Sequence, residues 1–129
     1  MSKTTDQSMG VEAMVQNFHW KYNCFCQDFP NQISAKERRL RKRLIKEEVR
    51  ELLEAMDTGS LAEIAKELAD VVYVVVGTAV AYGIPFTRVF KAVHASNLTK
   101  SGIEKGKITK GPNYVAPDLE YLNGNDVDR

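Results

Sequence analysis

Apolar side chains recur along this chain mostly at the three- and four-residue spacing of an α-helix. Val11, Met14, Val15, Phe18 and Tyr22 fall on one face and predict a first helix over about residues 9–23. Cys24 to Ile33, with Pro30 and Asn/Asp turn residues, is a connection. Ser34 followed three residues later by Glu37 is a capping-box signature, and it opens a second helix that runs to about Met56 with Ile45, Val49, Leu52, Leu53 and Met56 as its core stripe. Asp57-Thr58-Gly59 stops it, and Ser60 with Glu63 caps a third helix over about 61–82. Beyond Ala69 that helix is apolar on nearly every side, as at the centre of a bundle. Gly83 closes it, and Pro85 opens a fourth helix to about Leu98 with Phe86, Val89, Phe90 and Val93 facing inward. From Ser101 onward Gly, Pro, Lys and Asp are scattered without a period, which predicts a flexible tail or flap over 101–129. Nothing reads as a strand; Val71 to Val76 favours β locally, but it continues a capped, Ala- and Glu-rich helix. The expected fold is all-α, a four-helix bundle in one domain spanning 1–129, with helices two and three antiparallel neighbours across their short loop.

Composition narrows the class. At 129 residues, 43% hydrophobic and 27% charged, the chain is of ordinary globular size and composition. Its formal net charge of +1 creates no global field toward nucleic acid or an anionic membrane. Cys24 and Cys26 match neither a secreted disulfide framework nor a zinc site, and the polar start Met1 to Gly10 has no signal-peptide stretch, so a cytoplasmic protein is expected. Val71 to Thr87 is uncharged but broken by Gly77, Gly83 and Pro85, the pattern of a core helix rather than a membrane span.

The acids carry the chemistry. Glu47, Glu48 and Glu51 lie within a ~100° arc of helix two, and Glu67 and Asp70 lie ~60° apart on helix three, on a face that continues as Val71 and Val74. Carboxylates where a core begins cost several kcal/mol, roughly, unless they protonate or bind a cation. With helices two and three antiparallel, Glu48 and Glu51 meet Glu67 and Asp70, and an oxygen-only set without nearby His or Cys calls for Mg²⁺, with Mn²⁺ as a substitute. Glu47 and Glu54 taken alone read as solvated surface residues forming weak pairs.

These residues resemble a family. Glu47-Glu48-x-x-Glu51 followed on the next helix by Glu67-x-x-Asp70 is similar to the signature of MazG-like all-α nucleotide pyrophosphohydrolases, relatives of dimeric dUTPases and phosphoribosyl-ATP pyrophosphohydrolases. Glu67 to Tyr73, Gly83-Ile84, His94-x-Ser96-Asn97-x-x-Lys100 and Lys110-Gly-Pro-Asn-Tyr114 to Pro117-Asp118 are similar to small stand-alone members, many of them encoded by phages. The resemblance covers about residues 11–119 and implies cleavage of a nucleoside triphosphate, a deoxy or non-canonical one, between the α and β phosphates to give a monophosphate and pyrophosphate. It implies Glu48, Glu51, Glu67 and Asp70 as Mg²⁺ ligands, Glu47 as a further ligand or the group orienting the attacking water, and a homodimer or homotetramer. An oligomer also follows from the quantity of apolar helix surface on so short a chain.

Cations to meet the phosphates follow the fourth helix. His94, Asn97 and Lys100 share a face if that helix persists. Asn97 can donate to a phosphate and Lys100 neutralise one; Lys100 is equally explained by the helix dipole, and His94 is structural or substrate-binding. Lys107, Lys110 and Tyr114 belong to a segment that either folds over a bound triphosphate or is a passive tail. Lys36, Arg38, Arg39, Arg41, Lys42, Arg43 and Lys46 form a basic run against the single acid Glu37, the basis of a competing reading as a helical nucleic-acid or partner-binding module. The acids directly after it would repel phosphates unless a metal intervened, so most of these cations are expected to be solvated or paired with a second subunit. A phosphoribosyl-ATP pyrophosphohydrolase is the nearest enzymatic alternative. Phe18, Trp20 and Tyr22 serve either as core or as a surface for a base.

Overall fold

The computed structural model describes residues 9–124. Residues 1–8, the greater part of the polar start, and 125–129, the end of the expected tail, lie outside the described residues. Four helices dominate: α1 (Val11–Lys21), α2 (Ala35–Thr58), α3 (Leu61–Tyr82) and α4 (Phe86–Asn97). The fold is all-α, as the periodicity predicts. The chain divides into two compact units at Ile84/Pro85.

In the first unit α3 packs against both α1 and α2, the central place its composition calls for. Its N-terminus carries the full capping box, with Ser60 Oγ accepting from Glu63 N at 3.2 Å and Glu63 Oε1 accepting from Ser60 N at 2.7 Å. Ser34 Oγ accepts from Glu37 N at 3.1 Å at the start of α2. Gly83, at φ +70°, ends α3 in a left-handed turn whose bonds run from Gly83 N to Val80 O and from Ile84 N to Ala79 O. The loop after α1 supplies donors to the carbonyls α3 leaves over. Gln27 N bonds Val80 O, Gln27 Nε2 bonds Ala81 O and Asn31 N bonds Tyr82 O.

The core of this unit comprises Val15, Ile33, Val76, Ala79, Val80 and Ala81, gathered around the C-terminal half of α3. It is thinner than the stripes predict. Val11 and Met14 of α1, Tyr22 just beyond it, and Leu53 and Met56 of α2 are exposed, because α1 and α2 each find one long neighbour, α3, and the rest of their apolar arc is left uncovered.

In the second unit the expectation of no strand is corrected. Gly102–Glu104 (β1) and Lys107–Thr109 (β2) pair antiparallel, with Ile103 opposite Ile108. Lys105 and Gly106 turn the hairpin with φ of 52° and 77°, the positive-φ pair that matches the twist of the strands. Strands of three residues carry too little alternation to be read, and Lys-Gly lacks the Asn or Asp that usually marks such a turn. The stretch after the hairpin is also not featureless. Buried Ser96 of α4 donates its hydroxyl to Val115 O at 2.6 Å, and Thr99 Oγ1 accepts from Val115 N at 2.8 Å. Arg88 lies over the Tyr121 ring at 4.2 Å. No single helix among the described residues is long and apolar enough to cross a membrane.

Candidate functional site

Antiparallel packing of α2 on α3 brings Glu48 to Glu67 and Asp70. One ligand oxygen from each lies within 4.8 Å of the others. Two carboxylate charges at about that distance repel by about 1 kcal/mol in bulk water and by about 4 kcal/mol at an effective dielectric near 20. The Glu48 carboxyl is accordingly pushed above its ordinary range, first by lost solvation and then by the charges of Glu51, Asp70 and Glu67. Glu51 is therefore close in charge, although it is exposed and stands outside the gathered three. Two oxygens, Glu48 Oε1 and Glu67 Oε1, are buried without a hydrogen-bond partner. A carboxylate oxygen turned inward with no donor is costly unless a cation meets it, and three hard oxygen donors from two rigid helices fit Mg²⁺ or Mn²⁺.

Lys66 stands at the rim of this cluster, where the sequence reading gave it no role. Its Nζ lies 2.7 Å from Asp70 Oδ2 and 3.8 Å from Glu67 Oε2, and the bond to Asp70 raises the ammonium above its ordinary pKa. The i,i+4 spacing to Asp70 is the signal that could have found it. Glu47 faces elsewhere, toward Arg43 at 3.9 Å.

The expected phosphate-side residues belong to the second unit. His94 and Asn97 are exposed near the end of α4, and Lys100 is half-buried just beyond it. Lys107 lies on β2, and Lys110 Nζ sits 5.0 Å from the centre of the Tyr114 ring.

Of the basic run, Arg41 departs from the solvated expectation. At 7% exposure it is buried between α2 and α3, where Nε donates to Thr78 Oγ1 at 3.1 Å and Nη2 to Val74 O at 3.1 Å. Gly77 lies against it: a Cβ there would stand 2.7 Å from Arg41 Nη2 and 3.0 Å from His19 Nε2. His19 of α1 is 3% exposed and bonds Phe25 O through Nδ1 at 3.0 Å. A carbonyl only accepts, so the neutral ring carries its proton on Nδ1.

Burial, opposed by the bond to Phe25 and reinforced by the Arg41 charge, holds His19 below the usual imidazole pKa of 6.5. The unfolded chain therefore binds a proton more readily than the folded one below pH 6.5, and the contribution is lost as pH falls through the depressed value. The free energy of unfolding should fall between pH 7 and pH 5.5 by at most about 1.4 kcal/mol per pH unit from this group, and the melting temperature with it. His19→Gln should flatten it. An unchanged slope in that variant, followed by differential scanning calorimetry, would assign the pH dependence to other groups.

Residues 15–97, from α1 to the last residue of α4, match the phosphoribosyl-ATP pyrophosphohydrolase family. The match includes Glu47, Glu48, Glu51, Glu67 and Asp70 and ends before Lys100, Lys107, Lys110 and Tyr114. No curated protein matches the chain.

Proposed function

The chain belongs to the phosphoribosyl-ATP pyrophosphohydrolase family, within the MazG-like all-α nucleotide pyrophosphohydrolases, and from that premise we propose that it hydrolyses a nucleoside triphosphate between its α and β phosphates. The observation that carries this reading is the meeting of Glu48, Glu67 and Asp70, with two inward carboxylate oxygens left without donors. In the proposed site these three, with Glu51 beside them, hold Mg²⁺. A bound divalent ion supplies charge neutralisation of the phosphate oxygens and lowers the pKa of water. The chain's part is to fix the carboxylates on two helices, so that the ion and the water it activates would be held in one place. Asn97 and Lys100 are proposed as phosphate contacts on the strength of the resemblance.

A nucleotide is further supported by aromatic rings left partly bare in the same unit. Phe18 packs edge-on to Tyr73 at 5.3 Å and against Tyr22 at 4.8 Å, with Phe18 40% and Tyr73 39% exposed. Such faces can stack on a base. The second reading, hydrolysis of phosphoribosyl-ATP, is favoured by the family match itself and needs the same chemistry on a different base and sugar. A panel of canonical, deoxy and damaged nucleoside triphosphates together with phosphoribosyl-ATP, with pyrophosphate and phosphate read separately, decides between them. Turnover of phosphoribosyl-ATP alone selects the second reading; release of phosphate in place of pyrophosphate contradicts both.

The proposal includes a homo-oligomer. Leu68, Val72 and Val75 form an exposed stripe within ~60° of α3, and Leu53 and Met56 on α2 are exposed as well. Light scattering at micromolar concentration should give at least twice the 14.5 kDa chain mass, and Val72→Asp should shift it to the monomer. A monomer in the unaltered protein would refute this.

A further inference from the structure

Arg41 is the buried member of an otherwise solvent-facing basic run, and the acid chemistry makes no use of it. We propose that Arg41 is a positioning residue whose guanidinium sets the register of α2 on α3 and thereby carries Glu48 to Glu67 and Asp70. The inference rests on the reading of those acids as a metal site.

Two rungs join the helices. Arg41 reaches Val74 O and Thr78 Oγ1, and seven residues further along α2 Glu48 reaches the level of Glu67 and Asp70. Seven residues are two turns, so Arg41 and Glu48 lie within ~20° on one face of α2 and ~10.5 Å apart along it. The residues between the rungs at these helical positions, Leu44 and Ile45 of α2 and Val71 of α3, are aliphatic, and aliphatic ridges pack acceptably in more than one register. The acid rung cannot choose the register by itself, because like charges repel. The Arg41 rung is directional: a planar fork with Nε and Nη2 fixed relative to one another meets two acceptors that are themselves tied, since Thr78 Oγ1 donates to Val74 O at 2.8 Å. Gly77 leaves the space for that fork and His19 stands beside it. A slip of one turn, about 5.4 Å, would break both bonds and leave a buried cation without acceptors. Buried polar groups that specify register at some expense of stability are well attested in packed helices.

The test is Mn²⁺ affinity, read by electron paramagnetic resonance of the free ion, for the full chain and for Arg41→Lys, Arg41→Met, Thr78→Val and Val15→Ala. All are measured well below their melting temperatures, with helicity checked by circular dichroism. Arg41→Met should bind Mn²⁺ about tenfold more weakly or worse, the range seen when a group orienting metal ligands is removed. Thr78→Val, which keeps Arg41 but deletes one acceptor, should lose several-fold. Arg41→Lys keeps the charge without the fork and should not restore wild-type affinity. Val15→Ala opens a gap in the core without touching the clamp, so it should lower the melting temperature and leave Mn²⁺ affinity within twofold. Wild-type affinity in folded Thr78→Val and Arg41→Lys overturns the proposal, whether or not Arg41→Met folds. If the unaltered protein binds no Mn²⁺, the metal reading fails, and the register claim is decided by the crystal structure of Thr78→Val. Carboxylates still gathered within 4.8 Å overturn it, and dispersed ones support it.

Discussion

Replacing Asp70 by Asn is expected to abolish nucleotide hydrolysis, by about three orders of magnitude or more in kcat, while the protein melts no lower than the unaltered chain. The two halves of this result have one cause. The amide keeps the size of the carboxylate but removes a charge that repels Glu67 and Glu48, so the folded state without metal loses strain. The same charge is one of three that would hold the divalent ion, and metal-assisted hydrolysis depends on it for several kcal/mol, roughly, of transition-state stabilisation. Asp70 also gives up Lys66, 2.7 Å away, but that ammonium is open to solvent and its loss weighs little. Glu67→Gln should behave alike, since Glu67 offers a buried oxygen with no donor. Activity within tenfold of the wild type in either variant, in a pyrophosphate-release assay, would remove these residues from the chemistry. Lower melting temperatures in both would contradict the repulsion argument.

The second large effect is structural. Gly77→Val should destabilise the first unit by about 3–5 kcal/mol and lower its melting temperature by roughly 12–40 °C. Two effects compete. Removing Gly from a helix interior gains about 0.5–1 kcal/mol at most. Against this, a side chain at position 77 begins 2.7 Å from Arg41 Nη2 and 3.0 Å from His19 Nε2, and both partners are buried. The guanidinium would have to leave Val74 O and Thr78 Oγ1, and stranding it dominates the balance. Thermal unfolding followed by circular dichroism measures the shift. A variant as stable as the wild type would mean that Arg41 finds a way out to water at little cost.

What could be read from the sequence was what is local. Ser60 and Glu63 announce a helix start because both halves of the capping box lie within three residues, and Gly83 announces an end because the turn there needs positive φ. The acids were legible for a related reason: two helices joined by a tight turn leave few ways to face each other, and periodicity then fixes which carboxylates meet. Glu48, Glu67 and Asp70 meet as read, whereas Glu51, exposed, stands outside the gathered three and Glu47 lies beside Arg43. Arg41 was hidden among six other cations of the same run. Nothing on α2 distinguishes it; its burial is decided by the gap at Gly77 and the acceptors at Val74 and Thr78, more than thirty residues away. His19 was hidden for the opposite reason, sitting four residues after Val15 on an apolar face where a polar residue reads as an interruption. The hairpin at 102–109 escaped because its strands are shorter than the period that would reveal them.

The proposed hydrolysis requires Glu48, Glu67 and Asp70 to act together on a divalent cation. Crystals of the unaltered protein grown with Mn²⁺, with diffraction recorded on both sides of the manganese absorption edge, test this directly. An anomalous peak is expected among the three carboxylates, and its loss in Asp70→Asn crystals. No peak there, or one held by other residues while these three stay turned to solvent or to Lys66, would contradict it.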